Sequence, residues 1–175
     1  MDTAMNKIAI CFGRFNPPHI GHLYVWKMAK DHDNYLIGTN PNTSGKKDPL
    51  SFEQKMVIVK QIAPDIAIIP HKSWFTLATE AYSQYPMREL VIITDEDWVV
   101  DGIKRYNGVK SDHGYYNFSK ISHKRSPRMT SATKIRNAAL NNDIQEFRKA
   151  NGLAELLDQA QYFDLVMFTM AKYQL

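Results

Sequence analysis

Five short apolar runs, each followed by a stretch that reads as a helix, most constrain what this chain can fold into. Lys7–Gly13 (KIAICFG), Asn34–Thr39 (NYLIGT), Ile66–Ile69, Leu90–Thr94 (LVIIT) and a weaker run around Asn117–Ile121 have the length and branching of buried strands. Between them, His19–Lys30 reads as a helix. Ser51-Phe52-Glu53-Gln54 has capping-box spacing and opens another through Ile62. Helices also read across Ser73–Tyr85 and, capped by Asp95-Glu96-Asp97, up to Tyr106. Alternation of this kind predicts an α/β fold: a Rossmann-like, doubly wound, five-stranded parallel sheet with ligands beyond the carboxyl ends of the strands.

The last third has no strand pattern. Ser131 reads as the N-cap of a helix over Ala132–Leu140, Asp143 starts a second and Gly152 closes it. Apolar residues at 153, 156, 157, 160, 163, 167 and 171 then predict one amphipathic helix over Leu153–Lys172. The expectation is a single domain over 1–175, with an α/β core at 7–140 and a helical C-terminal extension at 141–175. Tyr162, Phe163, Val166 and Phe168 make the last helix apolar around much of its girth, which points to an interface and a homo-oligomer.

Composition narrows the class. At 44% hydrophobic and 23% charged the chain is too apolar for disorder. Cys11 is the single cysteine, so no intramolecular disulfide and no cysteine-based zinc cluster is available. No basic segment leads into an apolar leader at the start, and no run reaches the ~18 apolar residues of a membrane span. The expectation is a cytoplasmic protein without a membrane partner. The net charge of +4 is not evenly spread. Lys120, Lys124, Arg125, Arg128, Lys134 and Arg136 lie between His113 and Asn142 with no acid among them, leaving 16 basic against 18 acidic residues elsewhere. This basic segment, with Tyr115, Tyr116 and Phe118 as stacking groups, is compatible with a nucleic-acid-binding module. Because Lys134 and Arg136 fall in a second motif described below, a small polyphosphate suits the segment better than a polynucleotide.

The strongest motif is Gly13-Arg14-Phe15-Asn16-Pro17-Pro18-His19-Ile20-Gly21-His22, directly after the first strand. His19 and His22, three apart at a helix start, can share one face. Gly21 leaves space where a nucleotide approaches the backbone, and the helix N-terminus favours phosphate. The bland alternative is two capping or surface histidines beside a Pro-Pro turn. Ser131, Thr133 and Arg136 form a second cluster at a helix start, suited either to terminal phosphates or to an ordinary cap with solvated cations. Lys46 and Lys47, in the loop after strand two, read equally as phosphate ligands or as a solvated pair. Asp95, Glu96 and Asp97 suit a metal or a ribose less well than a helix cap.

Gly-Arg-Phe-x-Pro-x-His-x-Gly-His followed by Ser-x-Thr-x-x-Arg resembles the nucleotidyltransferase superfamily with the His-x-Gly-His signature, across residues 7–140. Within it the chain is similar to nicotinamide-mononucleotide adenylyltransferases, through Gly13-Arg14-Phe15, and to cytidylyltransferases. Thr94-Asp95-Glu96-Asp97-Trp98 departs from the Gly-Ser-Asp-Arg-like turn of many relatives, and Ala132 stands where many have serine. The resemblance implies that ATP (or CTP), with Mg²⁺ held mainly by its phosphates, donates a nucleoside monophosphate to a small phosphorylated acceptor and releases pyrophosphate. It assigns His19 and His22 to the triphosphate and the transition state, and Arg14 and one of Lys46/Lys47 to the reacting phosphates. Gly13, Phe15 and Gly21 would line the nucleotide, and Ser131, Thr133 and Arg136 would hold the β- and γ-phosphates. Aminoacyl-tRNA synthetases carry a similar His-Ile-Gly-His, but 175 residues leave no room for their tRNA-binding domains.

Overall fold

Expected strands and helices alternate in the computed structural model, which describes residues 6–43, 45–86 and 88–171. In chain order they are β1 (Lys7–Gly13), α1 (Ile20–Lys30), β2 (Tyr35–Thr39), α2 (Phe52–Ile62), β3 (Ile69–Pro70), α3 (Trp74–Gln84), β4 (Glu89–Thr94), α4 (Asp97–Arg105), β5 (Ile121–Arg125), α5 (Ala132–Leu140), α6 (Ile144–Asn151) and α7 (Gln159–Ala171). Contacts divide the described residues into two compact units. The first takes in residues up to Gly13, 25–40 and 67–127; the second takes in 14–24, 41–66 and everything described from Arg128 onward.

The first unit holds the sheet. Its five strands are all parallel, in the order β3-β2-β1-β4-β5. The strand order reverses between β1 and β4, so the switch point lies beyond Gly13 and Thr94, where a doubly wound sheet binds its ligand. Ile8 to Cys11 and Leu90 to Thr94 are buried without alternation, which means both faces of the central strands are covered. Cys11 sits in that core, and burial pushes its thiol pKa up, away from nucleophile chemistry.

Two strands differ from expectation. β3 pairs only through Ile69 and Pro70, although Ile66 and Ile68 are buried; proline cannot donate to a ladder, and β3 is an edge strand. β5 begins at Ile121, where the expected strand ends. The Asn107 side chain takes both backbone groups of Phe118, donating from Nδ2 to its carbonyl at 3.0 Å and accepting its N–H at 2.8 Å. With those groups satisfied by a side chain, Phe118 does not join the ladder, whose first bond to this segment runs from the Leu90 N–H to the Lys120 carbonyl at 3.0 Å. The acids after β4 also differ from the expected cap: Glu96 occupies the N-cap position of α4 without a side-chain cap bond, and Asp97 pairs with Arg125.

The second unit is helical apart from its loops. Ser51 opens α2 with both capping-box bonds, Ser131 caps α5, Asp143 caps α6, and Gly152 closes α6 in the left-handed conformation. The single helix expected from Leu153 is instead a turn over 153–158 followed by α7. Asn151 causes the break: its Oδ1 accepts the Leu153 N–H at 2.8 Å, and its Nδ2 donates to Gln159 Oε1 at 2.7 Å. Lys172, the expected end of that helix, lies outside the described residues. Tyr162, Phe163 and Val166 are buried in the core with Phe147 and Leu153, and Phe168 alone of the expected interface group is strongly exposed. Among the described residues, no helix is long and apolar enough to cross a membrane.

Candidate active site

The motif loop and the side chains that converge on it belong to the second unit, from Arg14 onward. Phe15 has φ +48°, a left-handed conformation costing a non-glycine residue about 1–3 kcal/mol. Its neighbours hold it there. Lys55 Nζ donates to the Arg14 carbonyl at 2.9 Å, and Arg136 Nη1 donates to the Asn16 carbonyl at 2.7 Å. The buried Asn16 side chain pairs with both backbone groups of Leu50, each at 2.9 Å.

His19 and His22 stack face to face, with ring centroids 3.5 Å apart and planes at 21°, and the Phe15 ring meets His22 edge-on at 4.9 Å. Both Nδ1 atoms accept backbone hydrogen bonds. His19 Nδ1 takes the Gly21 N–H at 3.0 Å and the His22 N–H at 3.4 Å, while His22 Nδ1 takes the His19 N–H at 3.2 Å. A ring nitrogen that accepts carries no proton, so each neutral imidazole bears its proton on Nε2. Burial lowers the His19 pKa to about 4; burial, with repulsion from the Lys55 ammonium and from His19 whenever that ring is protonated, holds His22 well below its ordinary value. Both rings are therefore neutral N–H donors at neutral pH. Gly21 serves this arrangement directly, since a Cβ there would lie 2.9 Å from His19 Cε1.

Around the histidines lies a set of cations. Arg136 is buried, and its Nη2 donates to Thr133 Oγ1 at 3.2 Å. Burial lowers its pKa, with Asp48 opposing the shift and Arg14 adding to it. Ser131 Oγ accepts the Lys134 N–H as the α5 cap, and Thr133 is exposed. The structure thus brings Arg14, Phe15, His19, Gly21, His22, Thr133 and Arg136 together. Gly13 ends β1 in the first unit, and Lys46 and Lys47 are exposed on their loop.

Sequence reasoning missed two residues. Lys55 is fully buried on the inner face of α2 with Ile58, Val59 and Ile62. A lysine at i in an apolar i, i+3, i+4, i+7 stripe was the available signal. Asp48 is 8% exposed, and its Oδ1 has no hydrogen-bond partner among the described residues. Its carboxylate stabilises the charges of Lys55 and Arg136. Two cations, one buried acid and two neutral imidazoles leave a positive excess suited to an anion. Among the described residues, no group of three or more His, Cys, Asp or Glu could hold a metal ion.

A sequence model of the cytidylyltransferase-like family matches residues 10–153, covering the motif loop, α2 and the α5 cluster. The chain belongs to the cytidylyltransferase-like family. This places it in the nucleotidyltransferase superfamily that its motifs resemble. It is 28% identical over 133 residues to a curated Flavobacterium psychrophilum protein named as a probable nicotinate-nucleotide adenylyltransferase, covering 66% of this chain and 69% of that one. A solved Vibrio parahaemolyticus structure, provisionally named a nicotinate-nucleotide adenylyltransferase, aligns with TM-score 0.48 and 16% identity over 79% of this chain and 89% of that one.

Proposed function

We propose that this family member transfers AMP from ATP to the phosphate of a small acceptor, a pyridine mononucleotide such as nicotinamide mononucleotide, and releases pyrophosphate. An acceptor phosphate oxygen bonds to the α-phosphorus while the bond from that phosphorus to the bridging oxygen of the β-phosphate breaks, its electron pair leaving with pyrophosphate. The nucleophile is already ionised, so no general base is needed; orientation and charge neutralisation carry the rate. The observation behind this reading is the stacked pair of neutral imidazoles, each with its proton on Nε2, beside Lys55, Arg136 and Arg14. Neutral N–H donors suit charge that grows on phosphoryl oxygens in the transition state.

In this reading His19 and His22 contact the triphosphate, with Arg14, Lys55 and one of Lys46/Lys47 at the reacting phosphates. Ser131, Thr133 and Arg136 hold the β- and γ-phosphates at the α5 N-terminus, and Phe15 and Gly21 line the nucleotide. The side chains at the loop fit phosphate and offer no carboxylate cage. Mg²⁺, held mainly by the donor's own phosphates, would neutralise part of their charge beside His19, His22 and Arg136. A second reading, CTP as donor, is favoured by the description of the matching family.

Pyrophosphate release tests both. The screen pairs ATP or CTP with nicotinamide mononucleotide, nicotinate mononucleotide, FMN, phosphopantetheine and glycerol phosphate. Turnover is expected with ATP and a pyridine mononucleotide, and His22→Ala should lower kcat by about 10²–10³-fold with the fold intact. Preference for CTP would select the second reading. Full activity in both His19→Ala and His22→Ala would remove the mechanism.

A further inference from the structure

Three side chains from three helices hold alternate carbonyls of the motif loop. Lys55 of α2 donates to Arg14, Arg136 of α5 donates to Asn16, and the Tyr162 hydroxyl of α7 donates to Pro18. The first two are cations of the proposed phosphate site. Tyr162 is a neutral donor, and it comes from a helix beyond residue 153, where the family match ends.

The tyrosine is built in. It is 3% exposed, and its ring lies edge-on to Phe147 at 5.0 Å, which packs Phe163 in the same way at 5.2 Å. Burial pushes its hydroxyl pKa well up, so it keeps its proton. On the other side of His19, Gly152 faces Ile20 so closely that a Cβ would lie 2.5 Å from Ile20 Cγ2. Residues 18 and 20 are thus both held by the C-terminal helical segment, with His19 between them.

The Pro18 carbonyl and the His19 N–H are the two ends of one planar peptide group, so fixing one end orients the other. Tyr162 holds the oxygen end, and the hydrogen end donates to His22 Nδ1. Each bond in such a chain polarises the next. We propose that Tyr162 is a positioning residue of the transfer site: through the Pro18–His19 peptide group its hydroxyl fixes the ring orientation and the Nε2–H tautomer of His22. The proposal rests on the transferase reading for its kinetic consequence and on geometry alone for its structural one.

The test is Tyr162→Phe in the full chain, read by long-range ¹H–¹⁵N spectra of the six imidazoles and by kinetics. The His22 ring signals, identified by their loss in His22→Ala, should shift, while those of His32, His71, His113 and His123 stay in place. With ATP and the acceptor found above, kcat should fall about tenfold with KM changed less than twofold, the pattern of a contact strengthened only in the transition state. Tyr162→4-aminophenylalanine, which keeps an N–H donor, should recover most of both effects. Unshifted His22 signals with wild-type kcat in Tyr162→Phe would overturn the proposal. So would a loss of thermal stability that shifts all six imidazoles together and is equal in the two variants, since that identifies a packing role. If the wild-type chain turns over no donor and acceptor, the transferase reading fails, and the imidazole spectra still decide the geometric proposal.

Discussion

Lys55 is a charged side chain buried completely, and its charge state couples stability to chemistry. Its ammonium donates to the Arg14 carbonyl, burial lowers its pKa to about 8, and Asp48 offsets part of that shift. The folded value lies below the ordinary 10.5, so folding penalises the protonated form. That penalty, on the order of 3 kcal/mol at 1.36 kcal/mol per pKa unit, is fully present below pH 8. Between about pH 8 and 10.5 the unfolded chain binds the extra proton, so Lys55 makes stability rise with pH across that window. Activity should move the opposite way, because the proposed chemistry uses the ammonium. Measured over pH 6.5–10, kcat/KM for ATP should fall from about pH 8, and Lys55→Arg, whose guanidinium stays protonated, should remove that fall from the measured range. On the acid side, His19 at about 4 predicts no loss near pH 6.5, where an ordinary histidine would titrate. A descending acid limb centred at pH 6.5 that disappears in His19→Asn would contradict the assignment of a neutral ring.

At the scale of elements, short-range signals were legible and long-range ones were not. The Ser51 box, the Ser131 and Asp143 caps and the Gly152 stop act within about one turn, so their residue types announce them. The starts of β5 and α7 depend on Asn107 reaching Phe118, 11 residues on, and Asn151 reaching Gln159. An asparagine does not advertise which backbone it will take. The motif loop divides in the same way. Its histidines were readable from spacing, but the partners that hold it, Leu50 and Arg136, lie 34 and 120 residues from Asn16. Gly152 gives a test at this scale. It combines φ +69° with the close approach to Ile20, whereas Gly45, at φ +80°, has open space around its Cβ position. Gly45→Ala should cost only the backbone term, about 1 kcal/mol. Gly152→Ala should cost about 2–4 kcal/mol in urea unfolding at pH 7, because the Ile20 contact adds to it. Equal losses at the two glycines would mean that α6 and Ile20 separate without cost.

Over the whole molecule, the +4 charge gains meaning from where its cations sit. Of the six basic residues between His113 and Asn142, Lys120 lies 3.7 Å from Glu89, Arg125 pairs with Asp97 and donates to the Asp95 carbonyl, and Arg136 is buried on the Asn16 carbonyl. Half of the basic segment is committed within the fold, and Lys124 and Arg125 belong to an edge strand, where charge also discourages strand pairing. A polynucleotide surface needs a row of cations engaging successive phosphates, each adding about −0.7 to the salt slope for a single strand. A triphosphate needs only the few that converge on one loop. A labelled 20-nucleotide single strand should therefore bind weakly at 50 mM KCl, with Kd of about 10⁻⁴ M, and show no measurable binding at 200 mM. ATP binding should change little over the same range, because the ligands proposed for it include buried groups, His19, Lys55 and Arg136, which salt screens less. Tight oligonucleotide binding at 200 mM KCl with a slope near −4, and no response to ATP, would instead assign the six cations to about six phosphates of a strand. In that case the chain would be a nucleic-acid-binding module built on a nucleotidyltransferase fold.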